Sequence, residues 1–159
     1  MPARGSILER WLAGAVAVYG ERIGERAANE RDPFRNPIGH ALRANLEVLV
    51  SELLGAMEPS AIAASFENII ALRAIQDLSV EQAIGFVYAL RGIVRAELPD
   101  ADVKEMDARI DRLSLVAFSQ YLRCRERLWE LRLNERLRAL GPVPYRHRSR
   151  QPTASYPGG

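Results

Sequence analysis

Apolar side chains recur at intervals of three and four residues along most of this 159-residue chain, which is the spacing of one face of an α-helix. No segment shows the strict alternation of apolar and polar residues that is typical of a β-strand. The sequence therefore predicts an all-α fold, a five-helix bundle with a long C-terminal helix. We expect residues 1–140 to form the helical domain and residues 141–159, rich in Arg, Pro and Gly, to form a disordered tail.

Capping residues mark where the predicted helices begin. Ser6 is the expected N-cap of the first helix. Asn36 followed by Pro37 is a strong start for the second, because asparagine caps well and proline needs no N–H partner in the first turn. Ser79 and Gln82 have the spacing of a capping box at the start of the fourth helix. The predicted helices cover about residues 6–23, 37–54, 59–76 and 79–98, and the fifth runs from about residue 100 or 102 to residue 140.

The predicted fifth helix carries two apolar stripes. The first stripe consists of Val103, Met106, Ile110, Leu113, Ala117, Tyr121, Cys124, Leu128 and Leu131. The second stripe consists of Leu115, Phe118, Leu122, Trp129, Leu133, Leu137 and Leu140. One stripe is enough to dock a helix on its own domain, so the second predicts contact with another chain, at Leu122, Trp129, Leu133 and Leu137. This interface would serve a homodimer or a different protein. A bundle folded tightly around the helix is the alternative.

A polar segment, RAIQDLSVEQAIGF, interrupts the most apolar part of the chain at residues 73–86. In one interpretation it joins the third and fourth helices. Asp77 would then accept hydrogen bonds from the free N–H groups of the fourth helix, and Arg73 would neutralise Asp77. In the other interpretation, the segment forms a pocket for a small ligand, built from Arg73, Gln76 and Asp77 together with His40.

The charges of the chain are unevenly distributed. Five of the 22 basic residues follow Glu135, so residues 1–135 hold 17 basic and 20 acidic groups, a net charge of −3. An acidic body does not favour binding to nucleic acid. Nucleic-acid binding through the arginines of the tail is therefore only a second alternative function.

Two features predict a cytoplasmic protein without membrane insertion. Cys124 is the single cysteine, so no intramolecular disulfide can form and a reducing compartment is expected. The longest strongly apolar run, WLAGAVAVY at residues 11–19, is far shorter than the roughly 20 residues that span a bilayer.

Side chains suited to catalysis or metal binding are scarce. The histidines are His40 and His147, and neither Cys-x-x-Cys nor His-Glu-x-x-His spacing occurs. Cys124 has an apolar helical phase and is expected to be buried, with a redox role as the alternative. The sequence predicts no enzyme and no metal or cofactor.

Small residues share one face of the predicted fourth helix, at Gly85, Ala89 and Gly92. Glycine costs about 1 kcal/mol relative to alanine inside a helix. Two glycines on one face therefore predict that another backbone packs closely there.

The sequence also resembles a known family. The segments DPFRNPIGHALRANLEVLVSELLGAM, ALRAIQDLSVEQAIGFVYALRGIVRAEL and RIDRLSLVAFSQYLRCRERLWELRLNE are similar to the N-terminal domain of the RsbRD-type co-antagonist proteins, relatives of the stressosome RsbR family. The NPIGH and RAIQDLSVEQAIGF motifs carry the resemblance most specifically. Leu78 stands where the family usually has phenylalanine.

The resemblance implies a helical sensory or docking domain, similar to globins without haem, that acts on protein partners. The phosphorylatable STAS output domain of larger relatives is not expected, because the chain stops before one could begin. Short chains of this kind also resemble accessory proteins of dissimilatory sulfur metabolism. The resemblance thus implies that the partner is either a signalling protein or a membrane redox complex linked to sulfite reductase.

Overall fold

Five α-helices and no strand make up the residues that the computed structural model describes, which are 2–19, 36–74 and 78–141. The helices are α1 (Pro2–Val16, followed by a 3-10 turn at Ala17–Tyr19), α2 (Pro37–Leu54), α3 (Pro59–Ala74), α4 (Val80–Glu97) and α5 (Val103–Ala139). The predicted all-α fold with a long C-terminal helix is confirmed. Most of the predicted tail and the continuation of the first helix to residue 23 lie outside the described residues.

Two of the predicted caps have the expected geometry. The side chain of Asn36 accepts a hydrogen bond of 2.8 Å from the backbone N–H of Gly39, and Pro37 occupies the first helical position. At the start of α4, the backbone N–H of Gln82 donates to Ser79 Oγ at 3.2 Å. The backbone N–H of Ser79 donates in return to Gln82 Oε1 at 3.1 Å. Both helices therefore begin where local chemistry directs them.

The predicted cap at Ser6 is wrong, because α1 begins at Pro2. Proline favours the first turn of a helix, and its fixed φ angle allows the helix to start earlier. The side chain of Ser6 instead lies beside Glu97 at the end of α4, where Arg10 and Ser6 lower the pKa of the Glu97 carboxyl. Ser6 thus contributes to the packing of two helices.

The helices form a closed ring around one hydrophobic core. α1 packs on α2 and α4, while α5 packs on α3 and α4, and contacts between α2 and α3 complete the ring. An aromatic cluster lies inside, in which Trp11 stacks on Phe86 with ring centroids 5.6 Å apart. The indole Nε1–H of Trp11 also donates to the Phe86 carbonyl at 2.8 Å. The similarity to globins stays a prediction.

Helix α5 extends well beyond this ring. Its 37 residues correspond to a length of about 55 Å. The first stripe is buried only in its middle, at Ile110, Leu113, Ala117 and Tyr121. All residues from Trp129 to Gly141 are exposed. The N-terminal half of α5 therefore docks on the domain, whereas its C-terminal third does not.

The predicted close packing at the glycines of α4 is wrong within this chain. A Cβ atom added at Gly85 or Gly92 would meet no atom within 4 Å. Ala89 is exposed as well. The small-residue face points away from the other helices because the core contacts of α4 lie on the side that carries Val87 and Leu90.

Replacing Gly92 by alanine is expected to raise the free energy of unfolding by about 0.5–1 kcal/mol, because alanine restricts the unfolded chain and meets open space in the fold. Urea unfolding followed by circular dichroism measures this change. Gly55→Ala is the matched control, since its Cβ would lie 2.8 Å from the Ser51 carbonyl oxygen and should destabilise the fold. A destabilised Gly92→Ala variant would show that a second molecule covers this face.

Candidate functional site

Arg73 is the central polar residue of the fold. It lies at the end of α3 and is only 1% exposed. Its Nη1 donates to the Gln82 carbonyl of α4 at 2.7 Å, and its Nη2 donates to the Ala15 carbonyl of α1, also at 2.7 Å. The Ala15 carbonyl belongs to the last turn of α1, where carbonyl groups lack partners within the helix. One guanidinium group therefore connects three helices.

Aromatic rings surround the rest of this guanidinium group. Its carbon lies 4.4 Å from the ring centroid of Phe86 and 5.6 Å from that of Tyr19, and such contacts stabilise a cation. Burial lowers the pKa of Arg73, which the neighbouring Tyr19 counteracts in part. No carboxylate of the described residues forms an ion pair with Arg73, and its Nε is buried without a hydrogen-bond partner.

Of the two predicted ligand-binding residues that the structure describes, Arg73 lies at this centre and His40 does not. Gln76 and Asp77 fall outside the described residues, so the predicted pairing of Arg73 with Asp77 stays a prediction. His40 is exposed in the first turn of α2, where its backbone N–H donates to the Asn36 carbonyl at 3.0 Å. Among the described residues, Arg73 connects helices through backbone carbonyls, and the choice between the two interpretations of the polar segment stays a prediction.

A small cleft opens beside Arg73, between the α3–α4 junction and α5. We call it the Arg73 cleft, and its volume is about 20 Å³, room for one or two water molecules. It is lined by Ile70, Arg73, Leu78, Ala83, Tyr121, Cys124, Arg125, Leu128, Trp129 and Arg132. Three arginines and no carboxylate stand among the lining residues that the structure describes.

Sequence reasoning missed the part of this cleft that α5 provides. Arg125 and Arg132 lie seven residues apart, with Leu128 between them, and this spacing places all three on one side of a helix. That periodicity was a usable signal. Cys124 was predicted to be buried, but it is half-buried and lines the cleft, because α5 leaves the ring of helices near this position.

The second stripe of α5 lies on the surface. Its seven members are between 41% and 80% exposed. They include all four residues of the predicted interface, Leu122, Trp129, Leu133 and Leu137. The bundle does not fold around both sides of the helix, so the tightly wrapped alternative is wrong.

Replacing Tyr19 by phenylalanine is expected to raise the free energy of unfolding by about 1 kcal/mol at pH 7, because the Tyr19 hydroxyl is buried without a described partner. Burial raises the pKa of Tyr19 above 10.0. The folded state thus keeps this proton where the unfolded state loses it, and stability falls as the pH rises above 10. Tyr19→Phe should remove this part of the decline.

Urea titrations at pH 7 and pH 10.5 measure both effects. Tyr88→Phe is the control. Tyr88 is exposed, so its replacement should change neither the free energy of unfolding at pH 7 nor the loss of stability between pH 7 and pH 10.5. A Tyr19→Phe variant that is less stable at pH 7 would mean that the hydroxyl has a partner after all.

Comparison with family models matches residues 5–136 to the family described as the RsbT co-antagonist protein rsbRD N-terminal domain. Curated proteins and solved structures give no significant match. Among the described residues, no helix is long and apolar enough to cross a membrane, and no three His, Cys, Asp or Glu side chains cluster in a way that could hold a metal ion. The family match confirms the resemblance seen in the sequence.

Proposed function

This chain belongs to the family of RsbT co-antagonist RsbRD N-terminal domains, and on that premise we propose that it is a non-enzymatic regulatory protein that acts by binding other proteins. The observation that carries the proposal is the exposure of all seven apolar side chains of the second stripe. A continuous apolar surface of this kind marks an interaction site. The single cysteine supports a cytoplasmic setting for this role.

The spacing of the second stripe indicates what kind of surface it contacts. Its positions follow intervals of three, four and four residues, an 11-residue repeat in which Glu126 is the one polar member. Eleven residues in three turns is close to the natural period of an α-helix. The stripe therefore runs almost straight along α5 and suits a second, nearly parallel or antiparallel helix.

A second copy of this chain is the partner that the stripe fits best. When two α5 helices lie antiparallel and centred on residues 127 and 128, Leu122 faces Leu133 of the second copy. In the same register Phe118 faces Leu137, and Leu115 faces Leu140. Trp129 alone meets a polar residue, Glu126 of the second copy. A surface that is complementary to itself is what a two-fold dimer requires.

Disulfide trapping tests this arrangement. In a Cys124→Ala background, a mixture of Leu122→Cys and Leu133→Cys chains should form a mixed disulfide dimer under mild oxidation. Each variant alone should stay largely uncrosslinked. Crosslinking of each variant alone would indicate a parallel pair. A strict monomer of 17.8 kDa in sedimentation equilibrium would rule out the second copy and leave a different protein as the occupant.

The regulatory role also has a more specific setting. The partner we propose is either a signalling protein or a membrane redox complex of dissimilatory sulfur metabolism, and the family resemblance of short chains supports this. Co-purification from the native cell with sulfite-reductase-linked subunits tests the second partner. Their absence, with a signalling kinase or phosphatase recovered instead, would contradict it.

A further inference from the structure

Two rows of apolar side chains lie next to each other where α4 packs on α5. On α5 the row is the first half of the second stripe, Leu115, Phe118 and Leu122, and Asp111 stands one turn before it on the same side of the helix. On α4, Arg91 ends a row with the same intervals of three and four residues. The members of that row are Val80, Ile84 and Tyr88. Because Arg91 forms an ion pair with Asp111, the two rows start at the same point.

The two helices run antiparallel, so the rows stay side by side. A second ion pair shows this direction, with 2.7 Å between Nη2 of Arg95 and Oδ2 of Asp107. Counted from the ion pairs, the rows are in step at three levels. The levels are Tyr88 with Leu115, Ile84 with Phe118, and Val80 with Leu122. Ile84 is buried, whereas Tyr88 is 57% and Val80 39% exposed. We call the apolar surface between the two rows the α4–α5 groove.

The other flank of α5 has no comparable row. α3 packs there, and Nη1 of Arg127 lies 3.1 Å from Oε1 of Glu67. Among its described residues, α3 exposes no large apolar side chain. A helix that covers the second stripe therefore removes more apolar surface from water when it lies toward α4 than when it lies toward α3.

The C-terminal arm of α5, residues 129–140, has the pattern that the groove requires. The whole arm is exposed in its own chain. In the antiparallel register proposed above, Leu133, Leu137 and Leu140 of the second copy lie at the levels of Leu122, Phe118 and Leu115. Each of the three levels then holds one apolar side chain from α4, one from α5 and one from the arm of the second copy.

The charges at the rim of the groove are complementary as well. Glu81 follows Val80 on α4, is exposed, and forms no ion pair with a described residue. Arg136 follows Phe118 by 18 residues, which is five full turns, and so lies on the side of α5 next to α4. In a two-fold antiparallel pair, this side of one copy faces the same side of the other. Arg136 of the second copy thus lies about two residues, ~3 Å along the helix axis, from the level of Glu81.

We propose that the second copy places its C-terminal arm in the α4–α5 groove, against Val80 and Tyr88, with its Arg136 paired to Glu81. The inference rests on the proposed function, because it needs the antiparallel second copy, and it adds α4 as a second wall of the interface. Two-fold symmetry fills the groove of both copies in the same way.

Charge reversal tests the ion pair, with sedimentation velocity of the full chain as the measurement. Arg136→Glu and Glu81→Arg should each weaken self-association about five- to tenfold, since each dimer contains the pair twice. The double variant should return to within about twofold of the unmodified chain. Arg138→Glu is the matched control, because Arg138 is also an arginine of the last turn of α5 but lies on the opposite side. Adding Glu81→Arg to Arg138→Glu should restore nothing.

Tyr88→Ala tests the apolar wall. The exposed ring should contribute to association and little to the fold of the single chain, so the variant should weaken self-association about tenfold with an unchanged circular dichroism spectrum. Val48→Ala is the control, because Val48 is an exposed apolar residue of α2 away from the groove. It should change association less than about twofold.

Either of two results would overturn the inference. One is a double charge-reversal variant that associates no better than the single variants, and the other is a Tyr88→Ala variant that associates as tightly as the unmodified chain. If the cysteines at positions 122 and 133 still form the mixed disulfide, the second copy lies on α5 alone, and the proposed function stands without the groove. If the chain is a strict monomer, the proposed second copy fails and the inference fails with it.

Discussion

Replacing Arg73 by alanine is expected to lower the free energy of unfolding by about 2–4 kcal/mol, a large effect for a single polar residue. The change removes two charge-assisted hydrogen bonds to carbonyl groups and leaves the Ala15 carbonyl at the end of α1 without its partner. It also removes the packed stem of the side chain from a site that is 1% exposed.

Burial of the guanidinium group costs free energy, because the group loses its contact with water. The alanine variant avoids this desolvation cost, which reduces the expected loss of stability. Loss of the bonds and of the packing should exceed it, because the arginine stacks on Phe86 at 4.4 Å and fills the space between α1, α3 and α4. Against a typical total stability of about 5–15 kcal/mol, the variant should fold but unfold at clearly lower urea concentration.

Two further variants separate the contributions. Arg73→Met keeps most of the volume and removes the charge, so it should cost less than alanine, about 1–2 kcal/mol. Arg73→Lys keeps a buried charge but cannot reach both carbonyl groups with one ammonium, and it should be less stable than Arg73→Met. If lysine were the better replacement, the charge itself would be the stabilising element, and a carboxylate such as Asp77 would be its partner.

Replacing Leu133 by glutamate is expected to weaken self-association at least about 100-fold while leaving the stability of the monomer within about 0.5 kcal/mol. Leu133 lies near the centre of the second stripe and is half exposed in the single chain. A charge there would be desolvated against Leu122 of the second copy, and residues at the centre of an interface dominate its energy.

Leu131→Glu is the matched control. Leu131 is 59% exposed, carries the same side chain on the same helix, and lies on the opposite side of α5 from the second stripe. Sedimentation velocity over a range of concentrations measures both variants. Equal loss of association in both would mean that the C-terminal third of α5 associates without a defined face, and the proposed register would be wrong.

The parts of the fold that followed from the sequence are those decided by neighbours along the chain. The caps at Asn36 and Ser79 each rest on atoms three residues apart, so their residue types are sufficient to predict them. The predicted cap at Ser6 was wrong because the chain has two helix-start signals close together, Pro2 and Ser6, and the helix begins at Pro2. Local chemistry therefore fixes a helix start only where one signal stands alone.

The candidate site followed from the sequence only in part. The polar segment drew attention to Arg73 by its composition, and the family motif covers the same residues. The partner of its Nη2 is the carbonyl of Ala15, 58 residues earlier in the chain. A backbone carbonyl has no side-chain identity, so no pattern of residue types could have indicated it.

The sequence by itself determined that this protein is helical, where most of its helices begin, and that α5 has two apolar sides, because hydrogen bonds and helical periodicity act over a few residues. The tertiary structure alone decided which of those sides is covered, that the glycine face of α4 is open, and that Arg73 is surrounded by three helices. These outcomes depend on the order in which the helices pack around the ring, and packing joins residues that are distant along the chain. The Arg73 cleft exists only because α5 passes the α3–α4 junction just before it leaves the domain.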